Sequence, residues 1–161
     1  TRDVLLLAFS TSSSAAVMPL SIRTAEDKLG VRPSVSQFVI PLGATINMNG
    51  TALYQSVATI FLAQVYGIDL SMGSMALVVA MAVGASIGSP ATPGVGIVIL
   101  AMVLQTVGIP PSGIALIMGV DRILDMCRTA INVTGDLVTC RLMENLAGKR
   151  LPPEPVPEET S

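Results

Sequence analysis

The chain contains no histidine and no tryptophan, and it has only two cysteines. Without histidine, the usual zinc sites and histidine-based nucleophilic triads are excluded from these 161 residues. Cys127 and Cys140 lie on one segment, too far apart along a helix for a disulfide and without metal-ligand spacing, so both read as filler. Charge is scarce as well: 12% of residues are Asp, Glu, Lys or Arg, against about a quarter in soluble domains. Aromatic residues make up 3%, and no basic, aromatic-interleaved patch is present, which excludes a nucleic-acid partner. The net charge of −2 carries little information, because much of it comes from the acidic, proline-rich end (residues 151–161), which reads as a disordered tail.

What fills the chain instead is apolar: 51% of residues are hydrophobic and the mean hydropathy is +0.70. That balance predicts an integral membrane protein. Thr1-Arg2-Asp3 leads straight into Val4–Phe9 with no initiator Met and no N-terminal targeting pattern, so the chain reads as the C-terminal part of something longer.

Four apolar stretches follow one another. The first, Val4 to Ile22, is cut by Ser10-Thr11-Ser12-Ser13-Ser14 and again by Pro19, and a charged connector from Arg23 to Arg32 follows. The second, Val35 to Tyr66, is interrupted at Gly43–Thr51, and the third, Met72 to Val107, at Gly88–Gly96 with Pro90 and Pro93. The fourth runs from about Ser112 to Ala147. A helix needs about 20 apolar residues to span a bilayer, and each half of the first and third stretches falls short. Irregular backbone at membrane depth is tolerated only where it packs in protein or lines a cavity. The predicted fold is an all-α membrane protein with two re-entrant helical hairpins (1–23 and 72–108), one broken transmembrane helix (35–67) and one polar-faced transmembrane helix (112–147), together one domain over 1–150.

The fourth stretch carries Asp121, Asp125, Arg128, Thr129, Asn132 and Asp136. At about 100° per residue these six fall on one helical face. An ionised residue at the centre of a membrane helix costs about 2.5–3.5 kcal/mol, while each Leu or Ile returns only about 0.3–0.6. That face must therefore look into protein, water or a ligand. Three Asp and one Arg leave it negative, so cations, protons or a ligand ammonium must compensate. An α-amino dicarboxylate fits the layout, with Arg128 clamping a carboxylate, Asp125 holding the ammonium and Asp136 holding a co-bound cation. An ion pair of Arg128 with Asp125, three residues apart, is the plain alternative, but it leaves Asp121, Asn132 and Asp136 unexplained.

The interruptions suit the same chemistry. Ser12-Ser13-Ser14 supplies hydroxyls and, at the start of a half-helix, free N–H groups for an anion; a helix cap is the alternative. Asn47-Met48-Asn49-Gly50-Thr51 frees carbonyls and adds amide oxygens, the ligands of a hard cation, and an ordinary glycine kink is the alternative. The Pro90/Pro93 segment cannot continue a helix, and its glycines permit a mobile tip or close approach to a ligand; it is no phosphate loop, and a passive turn is the alternative.

Taken together, Pro41–Tyr54 (Pro-Leu-Gly-Ala-Thr-Ile-Asn-Met-Asn-Gly-Thr-Ala-Leu-Tyr) and Asp125–Asp136 (Asp-Met-Cys-Arg-Thr-Ala-Ile-Asn-Val-Thr-Gly-Asp) resemble the dicarboxylate/amino acid:cation symporter family, which includes the glutamate transporters. The likeness runs from about Phe9 to Leu146 and implies a secondary symporter, not an enzyme. It would take up acidic amino acids with sodium, protons being the alternative driver, by alternating access with the second hairpin as gate. By that likeness, Ser14, Thr51, Thr92, Gly96, Asp125, Arg128, Thr129 and Asn132 contact substrate. One sodium lies among Gly43, Asn47, Asn132 and Asp136, and a second among the carbonyls of Thr45, Ser86, Ile87 and Ser89.

Family members typically have Asp where this chain has Asn49, and that carboxylate is assigned to a third sodium. The amide keeps the oxygen and loses the charge, which predicts weaker sodium dependence or fewer ions per cycle. In the first hairpin, Ala15-Ala16-Val17-Met18 replaces a more polar pattern. The resemblance further implies a homotrimer at full length, contact with membrane lipid and the plasma (inner) membrane of a prokaryote. Arg128 favours an acidic over a neutral substrate, and Asp125 favours an amino acid over a plain C4-dicarboxylate. An ion channel is a competing class. An intramembrane aspartyl protease would need facing carboxylates from two helices, and here the candidates share one helix with an arginine.

Overall fold

The computed structural model describes residues 1–87 and 94–147, and all of its regular structure is helical. The order is α1 (Arg2–Thr11), α2 (Ser14–Leu29), α3 (Pro33–Ile46), α4 (Asn49–Val65), α5 (Met72–Ser86), α6 (Val95–Thr106), a 3-10 turn at Pro111–Gly113 and α7 (Ile114–Ala147). Among the described residues no helix is long and apolar enough to cross a membrane. This differs from the expected transmembrane helices over 35–67 and 112–147: α1 to α6 are each 17 residues or shorter, and the 34-residue α7 carries the polar face.

Each short helix stops where its residues require it. Ser12, at φ 53, is the left-handed cap that ends α1, and Ser13 starts α2 by accepting the Ala16 N–H at 3.3 Å. Pro33 opens α3, a position where its missing N–H is harmless. Two stops differ from the sequence reading. The α2 helix passes through Pro19, its sixth residue, and the connector from Arg23 is helical as far as Leu29. The carbonyl that loses its partner to Pro19 belongs to exposed Ala15, and no breaker follows until Gly30, at φ 63.

Packing forms three apolar clusters: a small one joins α5 to α6 through Val78, Ile99 and Val103, and two larger ones meet α7. One joins α1, α2, α3 and the second half of α7 through Val4, Val17, Val39, Ile40, Val133 and Leu137. The other joins α4, α6 and the start of α7 through Leu62, Leu100, Leu104, Ile109, Ile114 and Ile117. The α5 helix lies along α4 and α6 and buries Val78, Ala82 and Ser86. Where α2 ends, α3 starts and α7 ends, the links are ionic. Glu144 accepts from both the backbone N–H and the guanidinium of Arg32, at 3.1 and 3.0 Å, Ser36 donates to Glu26 at 2.5 Å, and Lys28 pairs with Asp3 at 3.0 Å. The middle of α7 crosses the seam between the two larger clusters, and its polar face lies there.

Candidate functional site

At that seam Asp125, Arg128, Thr129, Asn132 and Asp136 are all buried, each less than 8% exposed. Buried charges require partners. Arg128 pairs with Asp125 on its own helix, and its guanidinium sits 5.6 Å from the centroid of the Tyr54 ring. The Tyr54 hydroxyl donates to Asp121 at 2.9 Å, which accounts for the one α7 carboxylate the sequence left without a role. Across the seam Gly96, in the first turn of α6, faces Arg128 so closely that a Cβ there would overlap the guanidinium. The site therefore places an arginine against the start of a helix, where free N–H groups already favour negative charge. Beyond the Asp125 carboxylate that Arg128 already pairs with, both groups suit an anion.

One turn further along α7, Asn132 reaches the break between α3 and α4. Its Oδ1 accepts the Gly50 N–H at 2.7 Å, and its Nδ2 donates to Thr51 Oγ1 at 3.3 Å and toward Met48 Sδ at 3.3 Å. The Met48 cap position offers no side-chain bond to α4, so Asn132 caps that helix from another element. Another turn on, Asp136 Oδ1 accepts from Asn47 Nδ2 at 3.0 Å, and Asn49 Nδ2 donates to Asn47 Oδ1 at 2.7 Å. Three glycines permit this crowding. A Cβ at Gly43 would lie 2.5 Å from Asp136 Oδ1, one at Gly135 2.9 Å from Asn47 Nδ2, and one at Gly50 would collide with the Arg128 carbonyl. The α3 helix ends at Ile46; the Gly43 carbonyl accepts the Asn47 N–H at 2.8 Å, while the carbonyls of the three residues after it have no further helical turn to donate to them. Among the described residues no cluster of three His, Cys, Asp or Glu could hold a metal, so the oxygens gathered here are carbonyl, amide and one carboxylate. That mixture suits a monovalent hard cation.

The matching family model, described as the sodium:dicarboxylate symporter family, covers residues 1–146. The chain belongs to the sodium:dicarboxylate symporter family. It is 46% identical over 147 residues to a proton/sodium-glutamate symport protein of Bacillus subtilis, covering 91% of this chain and 34% of that protein. It is 44% identical over 149 residues to excitatory amino acid transporter 3 of Mus musculus, covering 92% and 28%. An excitatory amino acid transporter of Caenorhabditis elegans is 47% identical over 131 residues, covering 81% and 26%. The chain thus spans about a third or less of the length of these curated relatives. They are bacterial and animal alike, so the similarity does not narrow the source to a prokaryote.

Within this symporter-family chain the predicted site residues fall into three groups. Thr51, Gly96, Asp125, Arg128, Asn132, Gly43, Asn47, Asn49 and Asp136 are joined by the contacts above, and Thr129 is buried on the same face. Ser14 is buried in the first turn of α2, which packs on α7. Thr45 and Ile87 are exposed; the Thr45 hydroxyl donates to Leu42 O at 2.8 Å and that of buried Ser86 to Val83 O at 2.8 Å. Thr92 and Ser89 lie outside the described residues, as does the tail 151–161.

Sequence reasoning passed over Tyr54 and Gln55. The available signal was their spacing: they stand one turn beyond Gly50 and Thr51, on the side of α4 that meets the polar face. A groove of about 400 Å³ also runs between α4 and α7, with Leu53, Val57, Phe61, Leu116 and Val120 in its walls and Arg128 at its base. Its walls are mostly apolar, and it meets the polar seam at Gly50, Tyr54 and Arg128. Asp121, Asp125 and Asp136 all lie on α7, and their partners are a tyrosine, an arginine and an asparagine.

Proposed function

We propose that this chain forms the substrate- and cation-binding part of a sodium-coupled symporter for acidic amino acids. The observation that carries the proposal is the buried Asp125–Arg128 pair set against the first turn of α6. A substrate that brings its own carboxylate and ammonium can exchange with both partners at once: Arg128 takes the side-chain carboxylate bidentately and Asp125 the ammonium. Thr129 and Asn132 hold the α-carboxylate end, with Ser14, Thr51, Gly96 and Thr92 completing the enclosure. A plain C4-dicarboxylate would leave Asp125 without a cation, and a neutral amino acid would leave Arg128 without an anion. Buried unpaired charges disfavour both alternatives.

The first sodium is assigned to Gly43, Asn47, Asn132 and Asp136, the second to Thr45, Ser86, Ile87 and Ser89, and coupling follows if the second closes only with α5–α6 shut. Asn49 donates to Asn47 where a carboxylate would accept, which supports fewer ions per cycle.

Orientation follows from charge. Arg2, Arg23, Lys28, Arg32 and Arg141 lie where α1 starts, α2 ends, α3 begins and α7 approaches its end, whereas the links 66–71 and 107–113 hold Asp69 and no basic residue. The positive-inside rule puts the basic end in the cytoplasm. The hairpin α1–α2 then enters from the cytoplasm, and α5–α6 enters from outside as the gate. Plasma-membrane location and homotrimeric assembly of the intact protein belong to the same proposal.

The test is uptake of radiolabelled aspartate and glutamate by the intact protein in liposomes, with sodium and proton gradients imposed separately. Saturable uptake driven by the sodium gradient is expected. Uptake indifferent to both gradients would sink the proposal and favour a channel.

A further inference from the structure

Gln55 is fully buried in α4, yet it belongs to neither the substrate set nor the cation set. Its Nε2 donates to the main-chain carbonyl of Gly96 at 2.8 Å, across the seam from α4 to α6. Gly96 is the residue whose missing Cβ makes room for the Arg128 guanidinium, so Gln55 and Arg128 meet α6 at the same residue. The Gln55 Oε1 is buried without a hydrogen-bond partner, and so is the Thr59 hydroxyl one turn along the same side of α4. Along the same helix Ala58 and Leu62 belong to the apolar α4–α6 cluster with Leu100 and Leu104. A leucine or methionine would fill this place without an orphaned acceptor. An amide kept there at a penalty points to what its donor does.

We infer that Gln55 is the latch of the second hairpin: its amide fixes the first turn of α6 against Arg128 and so sets how long the closed state lasts. Gln55 is a positioning residue, touching main chain rather than ligand. The inference rests on the transport reading only for its consequence, which is slower release of the bound amino acid and sodium. The latch itself is a property of α4 and α6 and can be read without substrate. Three features suit α6 to such control. It is held to α7 by few contacts, its partner α5 is largely exposed, and its start is capped by Gly94 at φ 83 without a side-chain bond. Val95 and Ile97 of its first turn pack against the apolar clusters, and the Gln55 bond is a buried polar tie from that turn to α4.

The experiment compares native protein with Gln55→Met, Gln55→Leu and the control Thr59→Val, in the intact protein, by amide hydrogen exchange without ligand and by release of preloaded radiolabelled aspartate. Loss of a buried neutral hydrogen bond corresponds to about a fivefold change in the opening equilibrium. Gln55→Met and Gln55→Leu are expected to speed exchange in the first turn of α6 by about that factor, with α1–α3 unchanged, and to speed aspartate release similarly. Thr59→Val is expected to leave α6 as it is. Unchanged α6 exchange in both Gln55 variants would overturn the latch, and so would a uniform rise across α1–α3, which would make Gln55 a core residue. Faster α6 exchange in a protein that carries no acidic amino acid would support the latch and reject the transport reading instead.

Discussion

Asn132 supplies a cap to a helix 82 residues away in sequence, and its removal has a local, calculable effect. The Gly50 N–H is one of the first four of α4, which no helical carbonyl can reach, and its 2.7 Å bond to Asn132 Oδ1 is the bond that satisfies it. Gly50 is buried, so water cannot take over. Asn132→Leu fills the space but removes the acceptor, leaving a buried orphan donor. Lost caps and orphaned donors each run to about 1–2 kcal/mol, so about 2 kcal/mol is expected here, or roughly thirtyfold in the local opening equilibrium. The assay is amide exchange at Gly50 and Thr51, resolved by residue. Exchange at Gly50 should rise about thirtyfold in Asn132→Leu. In Asn132→Asp it should stay near native, because a carboxylate still accepts and a negative charge at a helix start is favourable. The Nδ2 bonds to Thr51 and Met48 are lost in both variants, which isolates the cap. Equal exchange in the two variants, or Gly50 protection unchanged in Asn132→Leu, would refute the trans-capping argument.

Three further outcomes follow from the same seam. Arg128→Cys should abolish glutamate and aspartate uptake, leave buried Asp125 with only the longer 3.9 Å ion pair to Arg122, and open the site to neutral amino acids; native glutamate affinity in that variant would remove Arg128 from the substrate set. Gly43→Ala places a methyl 2.5 Å from Asp136 Oδ1, against about 3.5 Å for a relaxed contact, so the carboxylate must shift by about 1 Å. A sodium titration of substrate binding should then show affinity weakened by about tenfold, with little change in substrate affinity at saturating sodium. Asn49→Asp exchanges a donor to Asn47 for a carboxylate, and uptake plotted against sodium should become steeper than in the native chain; an unchanged slope would separate position 49 from ion stoichiometry.

Much of this arrangement was legible in the chain because membranes make polarity expensive. Four ionisable groups on an apolar helix cannot face lipid, so the buried α7 face could be read from Asp125, Arg128 and Asp136 alone. Helix breakers were legible for a similar reason. Asn47 and Gly50 interrupt a segment whose freed backbone groups must find partners, and the gap between α3 and α4 falls at 47–48. Pairings across long separations were not legible. Nothing local marks Asn132 as the cap of α4, Gln55 as the partner of Gly96, or Tyr54 as the shelf under Arg128. Each is a polar side chain at helical spacing that could equally have faced water. Pro19 misled for the opposite reason: a proline interrupts one carbonyl, and that carbonyl's residue, Ala15, happens to be exposed.

The distribution of contacts also bears on which part of the molecule moves. The α1–α3 unit is fastened to α7 by an apolar cluster and by the Arg32–Glu144 pair, whose partners are 21% and 14% exposed and so only partly screened by solvent. On the far side of the polar seam, α5 leaves Met72, Leu77, Val79 and Val83 exposed and buries few side chains against α4 and α6. A ligand held only by α7 and α1–α3 would sit on a rigid half, with no means of coupling its arrival to a change of shape. A ligand that also engages the first turn of α6 gains most when that turn is in place, and by reciprocity it holds the turn there. Arg128 meets Gly96 from α7 and Gln55 meets it from α4, so under the proposed gating the same residue of α6 would register both occupancy and closure. That convergence is the physical support for assigning the gate to α5–α6 rather than to α1–α2.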